Sequence, residues 1–509
     1  MNGEPTKDVS RGSLWQYTRK KSLQDFCAPL RGQINVGLLK ISLDLCWTII
    51  YNTVMKPTKH NVNELYARAM SHHSKGDLGL AMKKYMEIAE HFPAHLGCLH
   101  NIARLHMAVN NTKEATDYLT RIIGINREDH EAFLYRADCL RIQHSTALAL
   151  ADCHASIDIK DTALAHNTLA LIYRDLGDFD AAHAEWDTCF TMEPENRAKW
   201  AVNMGQSLLL NRDYSNGFKL YEGRRQQNII PTRPQVRSRE AWTGSQSCEG
   251  QRIIMHSEQG IGDTIQMLRY AQVFKHMGAV WVGVVVPPEL YHLAQGVPGV
   301  DLVVQDGEEW PLWDLHLPMM TAPRAARTLF QTIPWEGAYI QRKDSAPDPR
   351  HPLPRSIGFV WSGGQRMFHE EMWMRPPKSR DIPQSVMLEL VQQIRQRWPA
   401  MTLVSLQTGR PIAEDAGLDL PELTDWTTTA TIIDTLDLVI SVDTAVAHLA
   451  GAMNRPVWLL NRKASDWRWH LELDTSPWYP SMKIFRQTDF NSWEPVMDQV
   501  LTALGELDA

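Results

Sequence analysis

One acid, two glycines and a probable strand-to-helix junction stand together in His256-Ser-Glu-Gln-Gly-Ile-Gly-Asp-Thr-Ile265. Gly260 and Gly262 have no Cβ, so each permits positive φ and a close backbone approach to a ligand. A helix opening near Thr264 presents unpaired N–H groups to the same place. Asp263 is unfavourable beside a bound phosphate. Facing a hydroxyl it is a base or an orienting group, and its other reading is a cap on the helix. A carboxylate of ordinary pKa, about 4, is a weak base, so the first role needs a neighbour or desolvation. Glu258 is either a second catalytic group or an anchor that fixes the loop by accepting backbone hydrogen bonds. The run lacks the third glycine of GxGxxG and the Lys-Ser or Lys-Thr of a P-loop, which argues against a nicotinamide cofactor.

A second constellation, Ser441-Val-Asp443-Thr444-Ala-Val-Ala-His448, follows an apolar run and opens a helix. Asp443 and Thr444 fall at the expected N-cap, where a hydroxyl and free N–H groups hold a phosphate without a metal. His448 lies one turn beyond Thr444 on the same face and either donates to a phosphate or sugar oxygen or is simply packed. A third turn, Ser362-Gly363-Gly364-Gln365, is followed by Arg375, Lys378 and Arg380. A leaving diphosphate needs positive charge from such a loop when no metal supplies it; otherwise the loop is a solvated basic stretch. There is no HExxH and no spaced Cys/His set, so no metal site is expected. Trp478 and Trp493 read as packing, while Asp466-Trp467-Arg468 stays open as a cleft segment.

Two kinds of element must position these residues. Ala69, Ala103, Ala137 and Ala170 recur at spacings of 34, 34 and 33 residues, each followed by a second alanine (Ala81, Ala115, Ala149, Ala182). Small residues at these offsets let two helices approach, larger ones such as Tyr85, Leu119 and Trp186 fill the seam, and Pro93 and Pro194 end second helices. The pattern resembles tetratricopeptide repeats: four copies are recognisable, a fifth runs from Arg197 to Arg225, and Arg127 replaces the terminal proline of the second. Such an array offers a groove to a peptide or protein partner, or it only supports its neighbour. After Gly250 the period changes to short β-branched runs alternating with helical stretches, the signature of parallel sheets. Strands are expected at 252–256, 280–286, 302–304, 313–316, 357–361, 402–405, 438–441 and 457–460, and helices at 264–276, 384–397, 429–436 and 444–452.

The expected divisions are a helical cap over 1–60, the repeats over 61–227, a linker over 228–249, a first α/β lobe over 250–345, an inter-lobe linker over 346–356, and a second lobe with a closing helix over 357–509. Ligand is then expected across the cleft between the lobes. The chain has 509 residues and a formal net charge of -7, without the basic excess that nonspecific nucleic-acid binding requires. The apolar stretch from Asn35 to Val54 is interrupted by Lys40 and Asp44, so no membrane span is expected, and no secretory signal precedes it. Seven cysteines without a CxxC or a disulfide framework favour a reducing cytoplasm.

The stretches HSEQGIGDTIQMLRYA (256–271), IGFVWSGG (357–364), LVSLQTG (403–409), DTLDLVISVDTAVAHLAGAMNRPVWLL (434–460) and DWRWHLELDTSPWYPSMKIFRQ (466–487) resemble bacterial tetratricopeptide-repeat glycosyltransferases, whose catalytic portion is related to the lipopolysaccharide heptosyltransferases of glycosyltransferase family 9. The resemblance implies an α-solenoid followed by a two-lobed GT-B fold, here with a first lobe of only about 100 residues. It implies an inverting, metal-independent transferase that needs no cofactor and takes a nucleotide-activated sugar as donor substrate. By the same resemblance Asp263 is the general base, with Glu258, Gly260, Gly262, Thr264 and Gln266 around it. Asp443, Thr444 and His448, with Lys378 or Arg380, hold the donor phosphates by that resemblance, and Ser362, Gly363, Gly364 and Gln407 are expected on the same donor side. The implied acceptor is a protein held by the repeats, such as flagellin. The rival readings are a glycan or lipid acceptor, and a protein-binding scaffold whose lobes no longer turn over.

Overall fold

A computed structural model of the chain describes residues 61–226, 233–236, 239–340, 354–363, 380–409, 412–413, 416–489 and 492–508. The chain divides into two compact units after Ile102. In the first, helices α1 (Val62–Ser74) and α2 (Leu78–His91) form a hairpin. It closes because Ala69 and Ala81 have no exposed surface and put no bulk between the helices, while Tyr85 and Ile88 fill the seam. Helix α3 (Leu96–Ala108) runs across the division.

In the second unit the hairpin pattern continues through α4 (Thr112–Ile125), α5 (His130–Ile142), α6 (Thr146–Ile159), α7 (Ala163–Leu176), α8 (Phe179–Met192), α9 (Arg197–Leu210) and α10 (Tyr214–Tyr221). Ala115, Ala137, Ala149, Ala170 and Ala182 are fully buried, as their spacing predicts. Gly177 ends α7 at φ +83, and Asp178 then caps α8 through the Ala181 N–H. The equivalent left-handed positions elsewhere fall on the turn residues Gly76 (φ 79) and Asn110 (φ 62), and on His144 (φ 60) and Arg212 (φ 68), which are not typical turn residues. Arg127 in place of proline has no effect on the length of α4, because Asn126 already leaves the helix in an extended conformation.

Two sheets follow, parallel throughout. The first has the order β3-β2-β1-β4, with β1 Arg252–His256, β2 Trp281–Val286, β3 Leu302–Gln305 and β4 Leu315–Pro318. The second has the order β6-β5-β7-β8-β9, with β5 Ser356–Val360, β6 Thr402–Ser405, β7 Leu438–Val442, β8 Val457–Asn461 and β9 Met482–Arg486. In each sheet the chain moves outward from its first strand and then crosses to that strand's other side. The two reversal points, beside β1 and beside β5, are where a doubly wound sheet opens a crevice at its strand ends. Helices α11 (Ile261–Leu268) and α12 (Tyr270–His276) follow β1; α13 (Gln384–Arg397) and α14 (Trp426–Thr435) flank β6; α15 (Ala445–Ala452) follows β7; and α16 (Glu494–Asp508) closes the chain.

The sequence reading differs from this in several elements, among them α14, which begins at Trp426 rather than at Thr429. Helix α11 begins at Ile261 rather than Thr264, and the expected helix over 264–276 breaks at Arg269. Strand β4 lies two residues later than expected, and β9 carries Lys483 in a short apolar run that has no strand signature of its own.

One apolar core joins the last helical hairpin to both sheets. Tyr214, Phe218 and Tyr221 share it with Trp242, Ile253 and Trp467. The opposite face of the second sheet has its own core, where Ile357, Phe359 and Trp361 alternate out of β5 toward α13 and α16. The hairpin fits only because two glycines meet. A methyl group on Gly205 would lie 2.8 Å from the Tyr221 nitrogen and 2.9 Å from the Gly217 oxygen, backbone atoms that have no room to give. Gly205→Ala is therefore expected to destabilise the second unit by about 1–3 kcal/mol through overpacking, read as a lower urea midpoint with an unchanged slope.

Candidate functional site

The turns singled out in sequence follow β1, β5 and β7, and two of them come face to face. A methyl group built on Gly262 would sit 2.7 Å from Cδ2 of His448 and 3.3 Å from Cα of Ala445. The missing side chain thus lets α11, from the first sheet, lie directly on α15, from the second. Neither Gly260 nor Gly262 uses positive φ; Gly260 has φ -68. Of the two freedoms that a missing Cβ permits, Gly262 uses close approach, here to another helix.

Asp263 is the third residue of α11, with both carboxylate oxygens engaged. Oδ2 accepts the Gly260 N–H at 2.8 Å, and Oδ1 accepts from Arg468 at 2.6 Å. Thr264 Oγ1 donates to the Gly260 carbonyl at 3.2 Å, and Gln266 Oε1 accepts from Arg468 Nε at 2.6 Å. Arg468 also donates to Asp466 at 2.9 Å. Burial pushes the Arg468 guanidinium down, but Asp466 and Asp263 more than offset it, so it stays cationic. Of the open cleft segment, Arg468 and Asp466 reach this group. Trp467 is buried against Tyr214, Phe218 and Trp478 in the core, and the Arg468 guanidinium lies 4.3 Å over its ring.

Glu258 sits apart, as an anchor between elements. Arg224, in the turn after α10, grips its two oxygens at 3.0 and 2.8 Å, and the Met320 N–H adds 2.8 Å. Arg224 also binds Glu222 and Thr321, so the end of the helical repeats is tied by charge to the loops of the first sheet.

On the second sheet, Thr444 is the N-cap residue of α15 but makes no side-chain cap; its hydroxyl meets Ser441 at 3.0 Å. Asp443 pairs with Arg380 at 3.3 Å and lies 3.9 Å from His448 Nε2. His448 Nδ1 meets the Tyr479 hydroxyl at 2.9 Å. In the tautomer in which Nδ1 accepts from Tyr479, Nε2 carries the ring proton and faces Asp443, just past the end of β7. Ser362 and Gly363 are held by Asp381, at 2.8 and 3.0 Å, and Gln407 Oε1 accepts from the Trp361 and Ser362 N–H groups. Gln407 and Asp381 therefore fix the shape of the turn. Gly364, Arg375 and Lys378 lie outside the described residues.

Residues that spacing did not reveal complete the assembly. Arg269 is buried at the break between α11 and α12, donates to the Trp478 carbonyl at 2.7 Å and the Tyr339 hydroxyl at 3.0 Å, and lies within 4.8 to 5.7 Å of the rings of Trp335, Tyr339, Trp478 and Tyr479. Arg462 follows β8; burial pushes its guanidinium down while Asp443 and Asp466 pull it up. Among the described residues the site thus collects three guanidiniums (Arg380, Arg462, Arg468) and three carboxylates (Asp263, Asp443, Asp466). No group of three His, Cys, Asp or Glu among the described residues is placed to hold a metal ion. No helix among them is long and apolar enough to cross a membrane.

The family model of glycosyltransferase family 9 (heptosyltransferase) matches residues 417–500, which contain Asp443, His448, Arg468 and Tyr479 but not Asp263. Protein FlbA of Caulobacter vibrioides is 25% identical over 500 residues, an alignment that covers 85% of this chain and 78% of that protein. Among solved structures, the MamA protein is 16% identical, covering 34% of this chain and all of its own length, with a TM-score of 0.29. A thermophilic TPR protein in Thermus thermophilus is 13% identical, covering 32% of this chain and 91% of that one, with a TM-score of 0.29. The chain combines a helical-repeat region with parallel sheets of Rossmann-like type, and the second of these carries a partial match to a glycosyltransferase family.

The buried histidines leave a measurable signature. Burial, reinforced by Arg468, pushes His448 down from 6.5 to about 3, and burial pushes His470 down to about 4. Both are neutral in the folded chain at neutral pH, and unfolding returns each to its ordinary value. Below 6.5 the unfolded chain therefore binds protons that the folded chain refuses. Stability is full above that pH and declines as pH falls toward about 4, by up to about 1.4 kcal/mol per pH unit for each histidine. Urea midpoints measured above and within this window test the decline, which should be shallower in His448→Gln.

Proposed function

We propose that the chain is an inverting, metal-independent glycosyltransferase of the two-lobed GT-B type, moving a sugar from a nucleotide-activated donor to a hydroxyl of a protein acceptor held by the helical repeats. The observation that carries this reading is the contact of α11 with α15 at Gly262 and His448. It sets an acid from one sheet's reversal point against a helix N-terminus, a neutral histidine and basic side chains from the other's. Partial similarity to glycosyltransferase family 9 over residues 417–500 supports the donor side of the reading.

In the proposed step the acceptor oxygen attacks the anomeric carbon as the bond from that carbon to the leaving phosphate oxygen breaks. The electron pair stays on that oxygen, the hydroxyl proton passes to a carboxylate oxygen of Asp263, and configuration inverts. The start of α15, His448 Nε2–H and Arg380 offset the negative charge that grows on the leaving group. Glu258, Gln407 and Asp381 keep the loops in place and touch no reacting atom. A second reading, a binding scaffold without turnover, draws on the engagement of both Asp263 oxygens within the protein.

Turnover by the wild-type chain separates the two, and Asp263→Asn then tests the base. Its amide oxygen can still accept the Gly260 N–H, so the fold should persist. With a donor chosen by a thermal-shift screen of nucleoside diphosphates and CMP, and acceptor modification followed by mass spectrometry, turnover should fall about 10²–10⁴-fold with donor binding retained. Near-wild-type turnover would remove Asp263 as the base.

A further inference from the structure

We infer that Arg468 couples the two halves of the site: it holds Asp263 while the donor site is empty and turns to the donor's phosphates when they arrive, freeing Asp263 for the acceptor hydroxyl. The inference rests on the glycosyltransferase reading and adds to it an order of events, donor first.

Arg468 is buried yet belongs to both sheets' contributions. Its guanidinium donates to Asp263 and Gln266 of α11 and to Asp466, five residues beyond the end of β8. A hydroxyl proton approaching Asp263 Oδ1 therefore competes with a charge-assisted hydrogen bond of 2.6 Å. The second argument is charge. Among the described residues, Arg380, Arg462 and Arg468 stand against Asp263, Asp443 and Asp466, so these six groups offset one another. A diphosphate adds negative charge with no counter-ion of its own, in surroundings where water screens little. Balance then favours moving a guanidinium from a carboxylate toward the phosphates. Arg468 is the cation whose transfer uncovers Asp263, and Asp466 on its other side lets it pivot without losing every partner. Arg380 and Arg462 are associated with Asp443, so their movement would leave Asp263 held.

The coupling is reciprocal, which makes it measurable without turnover. Isothermal titration of UDP, ADP, GDP and dTDP identifies a diphosphate that binds the wild-type chain. Asp263→Asn removes the charge that competes for Arg468, so that diphosphate should bind about fivefold more tightly or better. Arg468→Gln should bind it more weakly, and adding Asp263→Asn to Arg468→Gln should change nothing further. If Arg468→Gln fails to fold, Arg468→Lys takes its place in the same cycle. Unchanged affinity in Asp263→Asn overturns the coupling while leaving the glycosyltransferase reading intact. Tightening that persists without Arg468 overturns it too, because it reports plain repulsion between the carboxylate and the phosphates. If neither a diphosphate nor CMP binds the wild-type chain, the reading and the coupling fail together; binding of CMP alone overturns the coupling and leaves the reading intact.

Discussion

The absence of a single side chain at residue 262 sets the distance between the two sheets. Because Gly262 allows His448 and Ala445 to come into direct contact with α11, two sheets from separate stretches of chain meet helix on helix. Everything polar at the meeting point depends on that distance. Arg468 reaches Asp263 and Gln266 only across this gap, and Arg269 reaches the Trp478 carbonyl. An interface with this much buried charge would be costly if any member lost its partner, and close packing of backbone on ring keeps the members in register.

Local structure was far more legible in the sequence than the contacts that assemble it. Alanine spacing located the helical hairpins because a small residue is the only one that fits where two helices nearly touch. Most strands were marked by β-branched runs, and Arg252–His256 and Thr402–Ser405 fall on the expected residues. The start of α11 was misplaced because two glycines and an isoleucine are poor helix markers, yet tertiary packing makes this segment helical. Strand β9 escaped because its five residues follow an irregular stretch and include a lysine. The candidate site was legible as motifs and illegible as partnerships. Asp263 stands out beside its glycines, but its partner Arg468 lies 205 positions away, and no periodicity connects them. Trp467 and Arg468 are neighbours in a segment that offered no way to tell them apart; one enters the core and the other the charged group.

Charge balance gives the site a physical character of its own. Among the described residues the guanidiniums of this group pair with its carboxylates, and burial strengthens each pair. Neutral His448 fits this arrangement, since a further cation beside Arg468 would be repelled, and burial already disfavours its protonation. Tyr479 contributes by holding one ring nitrogen, which decides the direction of the other's proton.

The sharing of one core by α9, α10 and both sheets carries a consequence for how such a chain can vary. Tyr214 and Phe218 of α10, and Arg224 just after it, bind this hairpin to the sheets. The seam between a repeat array and a globular body therefore falls one hairpin earlier than the change of sequence period suggests. The hairpins ahead of it are built from helices of 13 or 14 residues. Gain or loss of such units during evolution would alter what the array can grasp, while the geometry around Gly262 would be inherited unchanged.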